Sequence, residues 1–403
     1  MSSESLSSDL PQESRRAGPF AFLDPTARYL QRTGAQRPSS GPKVSDSGHD
    51  DDDAAARRSD GAVSAPGVYQ LWRSRDNRKG RHAIVVSPKS AAENNLSHPG
   101  HTDTLKETLR GIWKMVVRYP VWDVSYDVAV IFTIGSVIWV INGFFVLLPE
   151  VAPSSAFPGE STYGGGVTAF IGATIFEFGS ILLMLEAVNE DRTDCFGWAL
   201  EEAMESRSLL LRPDPDRCAH HHPVKEAFIT KKGQPESSSK TRTWQWWPSW
   251  YELKTHYFRQ IGFLACFSQM IGATVFWIAG FTGLPPIYNS LSLPAVNGIY
   301  WLPQVVGGTG FIISSWFFML ETQTKWYLPA PKTLGWHIGF WNLLGALGFT
   351  LCGALGFASA NDSAVYGSLL ATFIGSWAFL IGSAVQWFES LDKYPITIDK
   401  TVE

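Results

Sequence analysis

The chain has little cysteine, and its apolar regions have little charge. Four cysteines occur in 403 residues: Cys195, Cys218, Cys266 and Cys352. Two fall in apolar runs and two in one polar segment, so no disulfide framework is indicated. The first 20 residues contain no apolar stretch, so no signal peptide is expected and the first apolar run should direct insertion. The apolar runs hold no metal triad, no Ser/His or paired-Asp arrangement and no phosphate loop. No enzyme activity, cofactor or nucleic-acid partner is therefore expected. The cluster Cys218-Ala219-His220-His221-His222 has no second ligand pair at finger spacing, so it reads as plain loop rather than a metal site.

What is present divides the chain in two. A mean hydropathy of −0.02 suits a soluble protein, but it averages two unlike parts. Residues 1–104 are rich in Ser, Asp, Arg, Pro and Gly and cannot bury enough surface to offset ordering entropy. They are expected to form a disordered tail. The remainder carries six apolar runs, near 128–148, 164–185, 261–284, 298–320, 334–357 and 365–388. Each exceeds the ~18 residues that mark a membrane-spanning helix. Within them the acid, base and imidazole side chains are Glu177 and His337 alone. Trp244, Trp246, Trp247, Trp250 and Tyr251 gather before the third run, as an interfacial belt would.

Basic residues set the orientation. Residues 149–163, 285–297 and 358–364 contain no Lys or Arg. Lys106, Arg110, Lys114 and Arg118 precede the first run, eleven basic residues from Arg192 to Arg259 separate runs two and three, and Lys325 and Lys332 separate runs four and five. The positive-inside rule places both termini in the cytosol of an integral membrane protein, with the membrane itself unspecified.

The runs are not independent. Gly-x3-Phe-x2-(Gly/Ser)-Ser-x5-Glu occurs three times, as Gly172/Phe176/Gly179/Ser180/Glu186, Gly307/Phe311/Ser314/Ser315/Glu321 and Gly375/Phe379/Gly382/Ser383/Glu389. Each copy follows a run marked by two glycines eight apart: Gly135 and Gly143, Gly272 and Gly280, Gly345 and Gly353. A unit repeated in register predicts a repeated structure, here a helical hairpin. The expected fold is all-α: a six-transmembrane-helix bundle of three parallel hairpin repeats, arranged with pseudo-threefold symmetry. Its parts are a tail (1–104), a juxtamembrane amphipathic helix (105–120), repeat 1 (121–186), a cytosolic loop with short interfacial helices (187–255), repeat 2 (256–321), repeat 3 (333–390) and a C-terminal tail (391–403). The small residues form a seam for close helix packing, expected within each hairpin. Glu186, Glu321 and Glu389 close their runs at the cytosolic interface and read as boundary and packing residues, rather than transport residues, that stay hydrated and meet a Lys, Arg or backbone donor. Mitochondrial carriers share a three-by-two plan, but their Pro-x-(Asp/Glu)-x-x-(Lys/Arg) signature is missing from the odd runs.

The marks Ile134-Gly135-Ser136, Phe178-Gly179-Ser180 and Ile381-Gly382-Ser383 resemble those of the YrhK-like domain, a two-span membrane module. The middle repeat departs from it, with Ser314-Ser315. The resemblance covers most of 121–390 as three tandem modules. It implies a fold and no activity.

Glu177 is the one costly residue, at ~2.5–3.5 kcal/mol for a charge at mid-span on insertion scales. The other repeats carry Ile312 and Leu380 there, so the seam does not require it. With Thr174 and Ser180 it forms a polar stripe turned from the glycine seam, toward the axis or another hairpin. One reading makes this stripe a transport path for a small solute, proton or cation. The other makes Glu177 a neutral carboxyl hydrogen-bonded to a polar group on a neighbour, such as Asn142, Gln269, Gln304, Asn342 or Gln386. At the level of the whole protein, transport competes with a non-transporting scaffold or sensor that binds partners or lipid through its tail and loop. The lipid bilayer is the expected partner. Residues 68–86 suggest a strand pair across a basic turn of Arg73, Arg75, Arg78, Lys79 and Arg81. That turn is either drawn to anionic inner-leaflet lipid or is a solvated linker.

Overall fold

A computed structural model describes residues 16–30, 68–86, 104–190, 192–203 and 244–398. Six helices in it are long and apolar enough to cross a membrane. They are α3 (Val124–Val151), α4 (Gly166–Val188), α7 (Ile261–Thr282), α8 (Leu302–Glu321), α9 (Leu334–Gly356) and α10 (Asp362–Ser390). Wider π-type turns at Glu160–Gly165 and Asn297–Trp301 lead into α4 and α8. Pro303 sits in the first turn of α8, directly after the π-type turn, and the Ile299 carbonyl four residues before it accepts from Thr282 Oγ1 at 2.7 Å. Asn361 caps α10 by accepting from Ser363 N at 2.9 Å.

The six helices close a ring in the order α3, α4, α7, α8, α9, α10 and back to α3, each packed on two neighbours. Ile134, Phe178, Ile271, Trp316, Leu347 and Ile374 point outward and stay exposed. That is the surface hydrocarbon would cover. The ring's inner face is aromatic and polar. One end of the ring carries the short connections 152–165, 283–301 and 357–361 and is called the loop end here.

The opposite end is capped. Strands β1 (Arg16–Ala17), β2 (Ala27–Leu30), β3 (Val68–Arg73), β4 (Ala83–Val86) and β5 (Ile396–Ile398) form one sheet in that order. The β3–β4 pair is antiparallel and is joined by the short helix α1 (Ser74–Arg78). The C-terminal β5 adds parallel to β4, with Ile84 opposite Ile396. N-terminal and C-terminal segments thus meet at the same end of the ring. This corrects the expectation of a disordered tail for residues 16–30 and 68–86. The pattern of few large apolar groups misled because this segment is held by charge and by strand pairing, not by its own core. Gly80 closes the turn after α1 at φ +60°, and a Cβ there would strike Thr193 Oγ1.

Helix α2 (Leu105–Val117) has the expected amphipathic pattern, with Leu105, Leu109, Ile112, Trp113 and Val116 all exposed. Of the interfacial segment expected after α4, α5 (Phe196–Ala203) is described. Helix α6 (Trp250–Thr255) opens with a Ser249/Glu252 capping box. Trp246, Trp247, Trp250 and Tyr251 are exposed, as a belt requires, but Trp244 is buried against Phe196 at 5.6 Å. Cys218 and His220–His222 lie outside the described residues.

Candidate functional site

The glycine marks divide into two kinds of contact. Gly272 meets the Gly307 carbonyl and Gly310 Cα, and Gly345 meets Phe379 and Gly375. Gly135 meets Phe176, Gly172 meets Trp139, and Gly179 meets Phe132. These contacts lie within hairpins, as the seam predicts. The second glycine of each odd helix does something else. Gly143 packs on Phe373 of α10, Gly280 on Ala173 of α4, and Gly353 on Gln304 and Val305 of α8. Each of these joins one hairpin to the next. The seam is therefore both an intra-hairpin and an inter-hairpin surface. In hydrocarbon, close approach is what holds helices together. Gly382 meets Asn342, and Ser314 is fully buried with no partner for its hydroxyl among the described residues.

Four residues after the first glycine of each odd helix stands an aromatic: Trp139, Phe276 and Phe349. They form a closed triangle, with ring centres 5.8, 4.8 and 5.7 Å apart. The repeated phenylalanines of the even helices make a second layer, with Phe379 at 5.6 Å from Phe176 and 6.3 Å from Phe311. The layers touch through Phe349–Phe379 at 5.3 Å and Phe276–Phe311 at 5.7 Å. Most of these pairs are edge-to-face, the arrangement that the ring quadrupole favours.

The two layers separate two cavities, each lined from all six helices and so lying on the ring axis. The loop-end cavity is about 320 Å³, with Trp139, Phe276 and Phe349 as its floor and Asn142, Gln304, Cys352 and Thr372 on its walls. The second is about 30 Å³ and lies between Phe176, Phe379 and the cap. Gln269, Asn342 and Gln386 line it with Arg75, Arg78 and Lys79. Asn142 and Gln304 thus line the loop-end cavity, and Gln269, Asn342 and Gln386 line the second.

The cap closes the axis with charge. Arg75 lays a fork on Glu389, with Nη2 2.7 Å from Oε2 and Nε 3.2 Å from Oε1. Arg78 bridges two repeats, donating to Glu186 at 2.6 Å and Glu321 at 2.8 Å. Arg81 donates to Glu389 at 3.1 Å and Asp76 at 2.9 Å. Lys79 Nζ stands 3.6 Å from Glu186. Four basic side chains of one turn thus meet the three repeat-ending acids and Asp76. Burial works against both guanidinium charges, and the carboxylates outweigh it (Glu389 at Arg75; Glu321 and Glu186 at Arg78), raising both groups above the ordinary arginine range. Lys79 is lowered, because burial outweighs its longer contact with Glu186.

This overturns two expectations. Glu186, Glu321 and Glu389 do meet basic partners, as expected, but they are not hydrated: their exposures are 0 %, 3 % and 1 %. The basic turn is neither a solvated linker nor free to bind lipid through these groups, since Lys79 is 1 % and Arg78 3 % exposed. Sequence reading took the acids and the basic turn separately. The signal that could have joined them was their count: three acids lost at one level of the bundle and a compact run of basic residues with no acidic neighbour but Asp76.

The polar stripe looks onto α7 and lines neither axial cavity. Glu177 Oε1 accepts from Thr274 of α7 at 2.9 Å, and Thr174 accepts from Trp277 Nε1 at 3.0 Å. Both contacts lie between hairpins, one of the two places expected. Ser180 bonds back to the Phe176 carbonyl at 2.8 Å, and neither axial cavity includes any of the three. The partner is a polar group on a neighbour, as one reading expected, but it is Thr274 and none of the five amides. The reason is rotation about α4: the face opposite the seam looks sideways onto α7, not inward. His337 behaves as an anchor, with Nε2 donating to the Pro331 carbonyl at 2.7 Å. Among the described residues no group of acids, histidines and cysteines could hold a metal. No family model, no curated protein and no solved structure matches the chain.

Proposed function

We propose that the ring is a transport protein that moves a small solute or ion along its axis, in a state closed at two levels. The observation that carries this reading is that both cavities draw their walls from all six helices. A path along the axis meets a neutral chamber, an aromatic double layer, a second cavity and then the ion-paired cap. The capped end faces the cytosol, in keeping with the basic residues of the segments at that end. Each hairpin is a YrhK-like module, and the three modules are equivalent turns of one ring. Support for equivalence comes from the matched roles of Gly143, Gly280 and Gly353 and of the two aromatic triads.

The turn from Arg75 to Arg81 is the gate. It is not part of any spanning helix, so it can leave without unfolding the ring. Its departure would expose three carboxylates on the axis, which burial makes costly unless cations or protons replace it. The test is reconstitution of the full chain in liposomes. Proton, potassium and neutral-solute flux are measured for wild type, the Arg75→Ala/Arg78→Ala pair, and Phe379→Ala, which widens the aromatic layer without touching the cap. Flux that rises in either variant supports the reading; absence of flux in all three rejects it.

A second reading has its own observation. The cap holds strands from both ends of the chain in one sheet and ties them to three helices. That suits a sensor, in which a change in the bundle is passed to extramembrane segments without transport.

A further inference from the structure

We propose that the loop-end chamber is a binding site for an uncharged, hydroxyl-bearing solute of monosaccharide size or smaller. The proposal deepens the transport reading by naming its substrate class, and it rests on that reading only for movement, not for binding.

The size comes first. At about 320 Å³ the chamber falls at the lower end of the range that encloses small ligands. Ser161, Thr162 and Pro285 from the connecting segments line its rim, so it is reached from the loop end. Charge comes second. No lining residue is acidic, basic or a histidine, in contrast to the capped end of the same axis. A bare cation or anion would lose its hydration there with no countercharge to replace it. An acyl chain would fare little better against buried amide and hydroxyl groups.

The hydrogen-bonding groups define the rest. Trp139, 4 % exposed, and Trp301 line the chamber, and neither indole N–H has an acceptor among the described residues. A buried donor left unpaired is costly, and a ligand oxygen would satisfy it. The walls carry mixed groups: Asn142 donates its amide to Gly165 O at 2.6 Å, and Cys352 lies 3.2 Å from Ser368 Oγ and 3.6 Å from Gln304 Oε1. Groups that can both donate and accept suit hydroxyls, which do the same. The floor of three aromatic rings offers a face for the C–H side of such a solute. Ring position is fixed from behind, because a Cβ on Gly172 would fall 2.8 Å from Trp139 Nε1.

The test uses the full chain in nanodiscs and three probes: glycerol, myo-inositol and glucose, with glutamate and choline as charged comparators. Saturable binding of at least one neutral probe and of neither charged one is expected, measured by equilibrium dialysis of labelled compound. Trp139→Phe, which keeps an aromatic face and removes the N–H, should weaken that binding about fivefold or more. A readout independent of any variant's folding is alkylation of Cys352 by N-ethylmaleimide, which the bound probe should slow. No saturable binding of any neutral probe overturns the proposal, as does binding that leaves Cys352 unprotected and is unchanged in Trp139→Phe. Binding with protection but without flux in liposomes keeps the site and rejects transport, so the two claims fail separately.

Discussion

The two ends of the ring axis are built from the same repeat and treat charge in opposite ways. At the capped end each repeat contributes a carboxylate, and a segment from outside the bundle contributes the counter-ions. At the loop end, among the described residues, the chamber is lined only by uncharged side chains of the helices and their connections. The comparison teaches that the triplicated acid is tolerated because it is paired, not because it is wet. A buried carboxylate left alone is expensive, whereas one held by a bidentate guanidinium is stable in place.

The largest effect should come from breaking the charged end. Arg78→Ala leaves Glu186 and Glu321 facing each other without their bridge. It should destabilise the cap by about 3–5 kcal/mol. Hydrogen exchange over residues 68–86 should rise sharply while the spanning helices remain protected. Exchange unchanged in that segment would mean that the pairing contributes nothing.

Next comes packing of the ring itself. A Cβ at Gly272 would lie 2.9 Å from the Gly307 carbonyl and 3.2 Å from Gly310 Cα, both backbone. Gly272→Ala should cost about 1–3 kcal/mol in a thermal or denaturant assay. Gly298, near the loop end, has nothing within 4 Å of that position, so Gly298→Ala should stay within about 0.5 kcal/mol. Equal effects at the two sites would remove close helix approach from the account.

A pH dependence separates the two ends further. Glu190, just beyond α4, accepts from Asn77 Nδ2 at 2.9 Å. Burial raises its carboxyl to about 7 from an ordinary value of 4.5. The folded chain then binds the proton more tightly than the unfolded one. Its contribution is full below about pH 4.5 and is lost as the pH rises through about 7. Cap stability should fall over that window in wild type and flatten in Glu190→Gln, with the loop end indifferent to both.

The smallest effect is expected at the residue that stands out most in the sequence. Glu177 holds a single hydroxyl contact to Thr274 off the axis. Glu177→Gln should change stability by about 0.6 kcal/mol or less, and flux in liposomes should match wild type. Flux lost in that variant would move the path from the axis to the groove between α4 and α7.

How much of this could be read in advance follows from where the signals lie. The six spans, the amphipathic α2 and the glycine seam are written in local composition and period, and they stand in the structure. The strand pair across 68–86 was also legible. Its destination was not: the partners of Arg75 and Arg78 lie more than a hundred residues away, and no periodicity links a polar N-terminal segment to the ends of three helices. Glu177 misled for a different reason. Spacing fixes which face of α4 it shares with Thr174, but not which way that face turns once α7 and α3 pack on either side. The chamber was invisible because Asn142, Gln304 and Cys352 come from different repeats and converge only when the ring closes.

The pairing of the cap with the repeated acids is measured most directly by a double-mutant cycle on Arg75 and Glu389. Stabilities of wild type, Arg75→Leu, Glu389→Gln and the double variant are compared under one set of conditions. The forked contact at 2.7 and 3.2 Å predicts that the two losses overlap, with a coupling of about 1–3 kcal/mol. Losses that simply add, to within about 0.5 kcal/mol, would show that the two residues do not meet and would contradict the closed cap.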